Sequence, residues 1–163
     1  MVAFGLGGNL GGHAAVEAAL RLALDRLRAT IDGLRVASLY RGAAVSDVPQ
    51  PDFLNTAAVG STGLAPEALL AIAKTLELEA GRRPGPRLGP RPLDVDLLLY
   101  GDLTSHRPEL TLPHPRLAER RFVLAPLAEI APDLPIPSLG STPAELLRRL
   151  PDSAPPLERL RWR

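Results

Sequence analysis

Two carboxylates interrupt an otherwise apolar strand pattern in this chain, and few folds can accommodate that. The stretch Leu93-Asp94-Val95-Asp96-Leu97-Leu98-Leu99-Tyr100 ends in Gly101-Asp102, an apolar run closed by a turn signal. Strand side chains alternate, so Asp94 and Asp96 share one face while Leu93, Val95 and Leu97 take the other. About 6–7 Å separates their Cα atoms, a spacing that suits one shared Mg²⁺ or a pair of ions about 4 Å apart. An uncompensated charge on a buried strand is costly, so the acids require a counter-charge. Arg82, Arg83, Arg87 and Arg91 precede them on a Gly/Pro-rich loop, and guanidinium groups suit phosphate oxygens. Carboxylates for a hard metal beside arginines for phosphate point to a site for metal-bound nucleotide. The competing reading is plain ion pairing beside a solvated loop.

Around that strand the periodicity predicts the order β-α-β-β-α-β. Residues 2–6 read as a strand running into Gly7-Gly8-Asn9-Leu10-Gly11-Gly12. This is not a dinucleotide fingerprint, because Leu10 stands where the third glycine has to be. Val16, Leu20, Leu24, Leu27 and Ile31 recur at helical spacing over 13–30, and Gly33 ends the helix. Residues 34–40 read as the second strand. A loop over 41–52 follows, whose two prolines exclude a central strand, and then a third strand over 53–61. Pro66 suits the first turn of a helix carrying Leu69, Ile72, Ala73 and Leu76 and stopping at Gly81. Beyond the acidic strand, 104–112 gives another short strand and 123–130 a short apolar helix. Thr142-Pro143-Ala144-Glu145 has the form of a capping box opening a last helix through Leu150. The fold class is therefore α+β: a ferredoxin-like split βαβ sandwich, an antiparallel sheet with helices packed on one face, plus C-terminal additions. At 163 residues the chain reads as a single domain, 1–163.

Composition excludes several classes. A net charge of +1 argues against an extended nucleic-acid surface. The absence of cysteine removes disulfides, a thiol nucleophile and cysteine-ligated zinc. No apolar run approaches the ~18–20 residues of a membrane span and no export signal opens the chain, so a cytoplasmic location is expected. No Gly-x₄-Gly-Lys-Ser/Thr occurs, which excludes a P-loop kinase by motif. Asn9, Gln50 and Asn55 are the only side-chain amides, which makes each a candidate hydrogen-bonding group. Turn and cap chemistry fits Asn9 well and Asn55 poorly. Asn55 shares a strand face with Phe53, and an aromatic beside an amide suggests a slot for a flat heterocycle, the ring stacking while the amide reads its edge. Phe122 is the other phenylalanine near candidate site groups. His114, between two prolines and followed by Arg116, Arg120 and Arg121, is a candidate phosphate contact. Glu77 reads as a solvated helix-face carboxylate.

Three blocks then carry a resemblance: Gln50-Pro51-Asp52-Phe53-Leu54-Asn55; Gly89-Pro90-Arg91-Pro92-Leu93-Asp94-Val95-Asp96; and Pro113-His114 with Arg120 and Phe122. In order, they resemble the 6-hydroxymethyl-7,8-dihydropterin pyrophosphokinases of folate biosynthesis, from Gly7-Gly8-Asn9-Leu10 to Ile130-Ala131-Pro132. The resemblance implies transfer of the pyrophosphoryl group of ATP, the co-substrate, to the pterin hydroxymethyl with release of AMP. It implies that Asp94 and Asp96 hold two Mg²⁺ ions, with Arg82 and Arg91 joining them in catalysis. Arg82, Arg91, His114 and Arg120 would bind the phosphates, and Glu77, Leu97 and Thr111 match positions near the nucleotide. Phe53 and Phe122 would sandwich the pterin, with Asn55 and the backbone near Ala43 and Val45 on its edge. The expected partners are these two small molecules, with neither nucleic acid nor membrane, and a monomer. A non-catalytic ferredoxin-like module that binds nucleotide or pterin is the alternative.

The chain departs from the family at several points. Gly8 stands where Ser is common, Gly42-Ala43-Ala44 where Thr-Pro-Pro is common, Leu88 replaces a Trp and Pro115 a Tyr. The arginine loop is one residue shorter. Closure of the 82–91 loop is expected, with altered lid contacts.

Overall fold

A computed structural model describes residues 1–46, 49–83, 89–151 and 153–163. Arg87, Leu88 and the middle of the loop expected to close fall outside the described residues.

The first strand, β1 (Val2–Gly8), is buried at every position but Gly5 and lies between two antiparallel partners. On one side it pairs with β4 (Phe53–Ser61), on the other with β5 (Asp94–Tyr100). The sheet runs β5-β1-β4-β3-β8, with β2 also on β4. Here β2 is Asp32–Val36, β3 is Leu39–Gly42 and β8 is Glu158–Leu160. Helix α1 (His13–Arg28) follows β1, and α2 (Pro66–Glu79) joins β4 to β5. This is the ferredoxin-like order, as the sequence implies, with its second strand broken in two. The break has a local cause. Ala37 N–H still reaches Ala57 O at 2.9 Å, but Ser38 N–H turns to the Glu129 carboxylate at 3.2 and 3.3 Å and leaves the ladder. β3 then continues to Gly42, inside the stretch expected to be loop.

Helices cover both faces of the sheet, which corrects the expectation of one. On one face Leu20, Leu24 and Leu27 of α1 and Leu69, Ala73 and Leu76 of α2 bury Phe4, Leu6 and Val95. On the other, α3 (Arg121–Ile130) and α4 (Pro143–Arg149) bury Ala3, Ala57, Val59 and Leu98 beneath Leu124 and Leu127. The pattern of β4 explains this: 54–60 are all buried, and a strand without polar alternation is covered on both sides. Its small residues, Ala57 and Ala58, disguise that signal. Truncating the fully buried Leu124 to alanine would cost about 2–5 kcal/mol. Asp94 and Asp96 sit on the second face, and a bulge sets where the strand's apolar end falls. Phe4 pairs with Leu97 and Ala3 with Leu99, so Leu98 is an extra residue and side-chain parity shifts there.

The capping box of α4 forms: Glu145 N–H donates to Thr142 Oγ1 at 3.3 Å and Thr142 N–H to Glu145 Oε2 at 3.0 Å. The single short strand expected over 104–112 is a hairpin, β6 (Ser105–Arg107) and β7 (Leu110–Leu112). The tail adds β8, an element without a sequence signal, to the edge of β3.

Candidate active site

A cavity of about 290 Å³ opens at the end of the sheet where β1 and β4 lie between β5 and β3. Strand register places its groups in a row, because Gly7 is opposite both Asp94 and Asn55, and Gly42 is opposite Phe53. Neighbouring strands are about 4.8 Å apart, so the acids and the aromatic-amide pair stand about two strand spacings apart on one wall. The glycines between them are required. A Cβ on Gly7 would lie 2.5 Å from Asn55 Oδ1, and one on Gly8 2.4 Å from the Pro92 carbonyl oxygen.

The cavity wall includes Ala43, Val45, Phe53, Asn55 and Phe122 at one end. Arg91, Asp94, Asp96 and Arg120 line the other. Asn55 is only 7% exposed, and among the described residues its amide has no side-chain hydrogen-bond partner, so its capacity is directed at the cavity. At the charged end, Asp94 Oδ1 takes Arg82 Nη1 at 2.6 Å and Asp94 Oδ2 faces Arg91 Nη1 at 3.2 Å. Burial, and then the neighbouring charge of Asp94, push the Asp96 carboxyl up to about 6. His114 Nε2 lies 3.9 Å from Asp96 Oδ2. Burial and then the Arg120 charge pull the histidine down to about 4, so it is neutral at pH 7. Its Nδ1 accepts from Arg116 N–H at 3.2 Å, which leaves the proton on Nε2, facing the acid. Burial followed by Arg116 lowers Arg120 as well, and its guanidinium sits 5.4 Å from the centre of the Phe122 ring.

Glu77 is not the solvated carboxylate expected from its helix position. It is 3% exposed and receives Val95 N–H at 2.9 Å, Arg82 Nη1 at 2.5 Å and Lys74 Nζ at 3.1 Å. Lying behind β5 rather than on the cavity wall, it orients Arg82 toward Asp94. Leu97 is buried in the core on the α1/α2 face. Thr111 donates to Arg107 O at 3.0 Å. Neither reaches the cavity wall.

Of the two readings of Asn9, turn chemistry and a hydrogen-bonding role, the structure favours the second: its side chain is a clamp between loops. Its Oδ1 accepts Arg91 N–H at 3.0 Å, and its Nδ2 donates to Gln50 Oε1 and Pro51 O, each at 2.9 Å. Arg91 O accepts Asn9 N–H at 2.9 Å in return. One buried amide thus joins the loop before Phe53 to the segment before Asp94. Only the scarcity of amides hinted at it.

The described residues contain no cluster of three or more acidic, His or Cys ligands. The protein therefore offers two carboxylates, and phosphate and water would complete an Mg²⁺ shell, as that ion prefers.

Comparison with known proteins gives one family. The sequence profile of 7,8-dihydro-6-hydroxymethylpterin-pyrophosphokinase matches residues 3–132. A 2-amino-4-hydroxy-6-hydroxymethyldihydropteridine pyrophosphokinase of Methylorubrum extorquens is 42% identical over 152 residues, covering 91% of this chain and 92% of that protein. The Synechocystis protein of the same name is 40% identical over 148 residues, 90% of this chain and 74% of the relative. A mitochondrial folate synthesis bifunctional protein of Arabidopsis thaliana is 45% identical over 130 residues, 79% of this chain, but the match spans only 23% of that longer protein. Among solved structures, wild-type Plasmodium falciparum HPPK-DHPS superposes with a TM-score of 0.64 at 14% identity, covering 91% of this chain and 43% of that one, a likeness of fold. No helix among the described residues is long and apolar enough to cross a membrane. On the profile match and the Methylorubrum relative aligned almost end to end, this chain belongs to the 7,8-dihydro-6-hydroxymethylpterin-pyrophosphokinase family.

Proposed function

We infer that this cavity transfers the pyrophosphoryl group of Mg-ATP to the hydroxymethyl group of 6-hydroxymethyl-7,8-dihydropterin, giving AMP and the pterin diphosphate. The observation that carries this is the pairing, on one wall, of two acids with an aromatic-amide slot about two strands away. Asp94 and Asp96 would hold Mg²⁺, two ions by family resemblance, which when bound neutralises charge on the triphosphate oxygens. Arg91, Arg120 and Arg82 hold phosphate oxygens, and neutral His114 donates from Nε2. Phe53 and Phe122 hold the ring between them while the free amide of Asn55 reads its edge. The chain's work is positioning: it sets the pterin oxygen in line with the β-phosphorus and presents fixed positive charge to the leaving oxygens. Among the described residues no side chain at the slot stands as a general base. We place the reaction in the cytoplasm, with a monomer acting on two small molecules.

The test mixes ATP, Mg²⁺ and 6-hydroxymethyl-7,8-dihydropterin and follows the nucleotide product. AMP is expected; ADP, or neither product, would reject the assignment. Asp94→Asn should lower kcat by orders of magnitude, whereas Phe53→Ala and Phe122→Ala should raise the KM for pterin. Equal losses of kcat in all three would contradict this division.

A further inference from the structure

We propose that the C-terminal segment 153–157 is the wall closing the heterocycle end of the cavity, with Leu157 setting which ring fits there. This rests on the pterin reading above. Ala154 and Leu157 both line the cavity. Leu157 Cδ2 occupies the space beside Gly42, 2.4 Å from where a Cβ would stand, and Gly42 is paired with Phe53. Leu157 therefore covers the backbone next to the Phe53 ring. At the other side, Arg121 Nη2 donates to Pro151 O at 3.4 Å, one residue from Phe122. The tail thus spans the two elements that carry the aromatic pair.

The residues that follow Leu157 are tied down at several points. Glu158, Arg159 and Leu160 pair with Arg41, Tyr40 and Leu39. Arg159 donates to Glu129 at 2.7 Å and to Ser38 Oγ at 3.0 Å. Trp162 Nε1 donates to Ala37 O at 2.9 Å, and Arg163 N–H to the buried Glu17 at 2.6 Å. These anchors hold Leu157 as a fixed apolar surface. Gly42, having no side chain, leaves the room that Leu157 occupies.

The experiment measures binding to the full chain of 6-hydroxymethylpterin, by its own fluorescence, and of a non-hydrolysable ATP analogue. Leu157→Ala should weaken pterin binding about five- to tenfold, the loss expected for a few methyl-sized contacts, and leave ATP-analogue binding unchanged. Gly42→Ala should displace Leu157 and weaken pterin similarly, while the double variant is no worse than Leu157→Ala alone. Ala154→Leu, at a half-buried position outside both core clusters, should also weaken pterin by intruding on its space. A lowered melting temperature with unchanged pterin affinity in Leu157→Ala and Ala154→Leu would overturn the proposal, as would equal weakening of both ligands. Wild-type protein that binds the nucleotide but no pterin would overturn the functional reading itself.

Discussion

Asp96→Asn is expected to stabilise the metal-free protein at neutral pH while removing turnover. Burial, and next the charge of Asp94, raise the Asp96 carboxyl from 3.8 to about 6. The folded state then holds that proton more tightly than the unfolded chain does. Its contribution to stability is fully present below pH 3.8 and is lost as pH rises through about 6. A displacement of that size corresponds to about 3 kcal/mol. The side chain is 32% exposed, so water screens part of it, and about 1–2 kcal/mol is expected at pH 7.5. For a chain of this length that is about 3–6 °C in Tm. Thermal unfolding of both proteins in EDTA, at pH 7.5 and near pH 4, reads the effect directly. The variant should melt higher at pH 7.5, the gap should close near pH 4, and Mg²⁺ with an ATP analogue should raise the wild type more than the variant. A variant that melts below wild type at pH 7.5, or a gap independent of pH, would show that the protein's own cations already satisfy Asp96, and the reasoning would fail.

Asn9→Ala removes the clamp's hydrogen bonds to Arg91 N–H, Gln50 Oε1 and Pro51 O; urea denaturation should show a loss of about 2 kcal/mol, with kcat falling as Arg91 loses that anchor. Gly7→Ala must push Asn55 Oδ1 away from a contact of 2.5 Å, so the KM for pterin should rise about tenfold or more while the KM for ATP holds; unchanged steady-state kinetics would exclude that role for Asn55. His114, lowered to about 4, contributes stability above its ordinary value of 6.5 that is lost as pH falls through about 4. Proton NMR of its ring in metal-free protein should therefore show no titration step across pH 6.5.

The strand boundaries of β4 and the capping box of α4 were legible because each depends on residues a few positions apart. So was the shared face of Asp94 and Asp96, since alternation along β5 alone fixes it. Four features were not legible. The break between β2 and β3 depends on Glu129, 91 residues from Ser38. The second helical layer was hidden by Ala3 and Ala57, too small to announce a buried face yet completely covered. The tail strand β8 has the composition of an exposed loop, and only pairing with β3 makes it a strand. Glu77 looked solvated because a helical acid beside Lys74 usually is. Its burial follows from α2 packing on β5, which brings Val95 N–H to a carboxylate 18 residues earlier.

Asn9 fastens the acidic strand to the first. Its side chain reaches 41 residues to Gln50 and 82 to Arg91, so the start of the segment carrying Arg91 and Asp94 is held at the end of β1, next to the loop that precedes Phe53. Gly8 belongs to the same arrangement. Pro92 O lies 2.4 Å from where its Cβ would be, closer than any side chain permits. The glycine is what lets the Pro92 carbonyl lie against β1. Gly8→Ser must therefore push back the segment that carries Arg91 and Asp94, which should lower Tm by about 3–9 °C and reduce kcat with it; a variant with unchanged Tm and turnover would show that the segment yields freely.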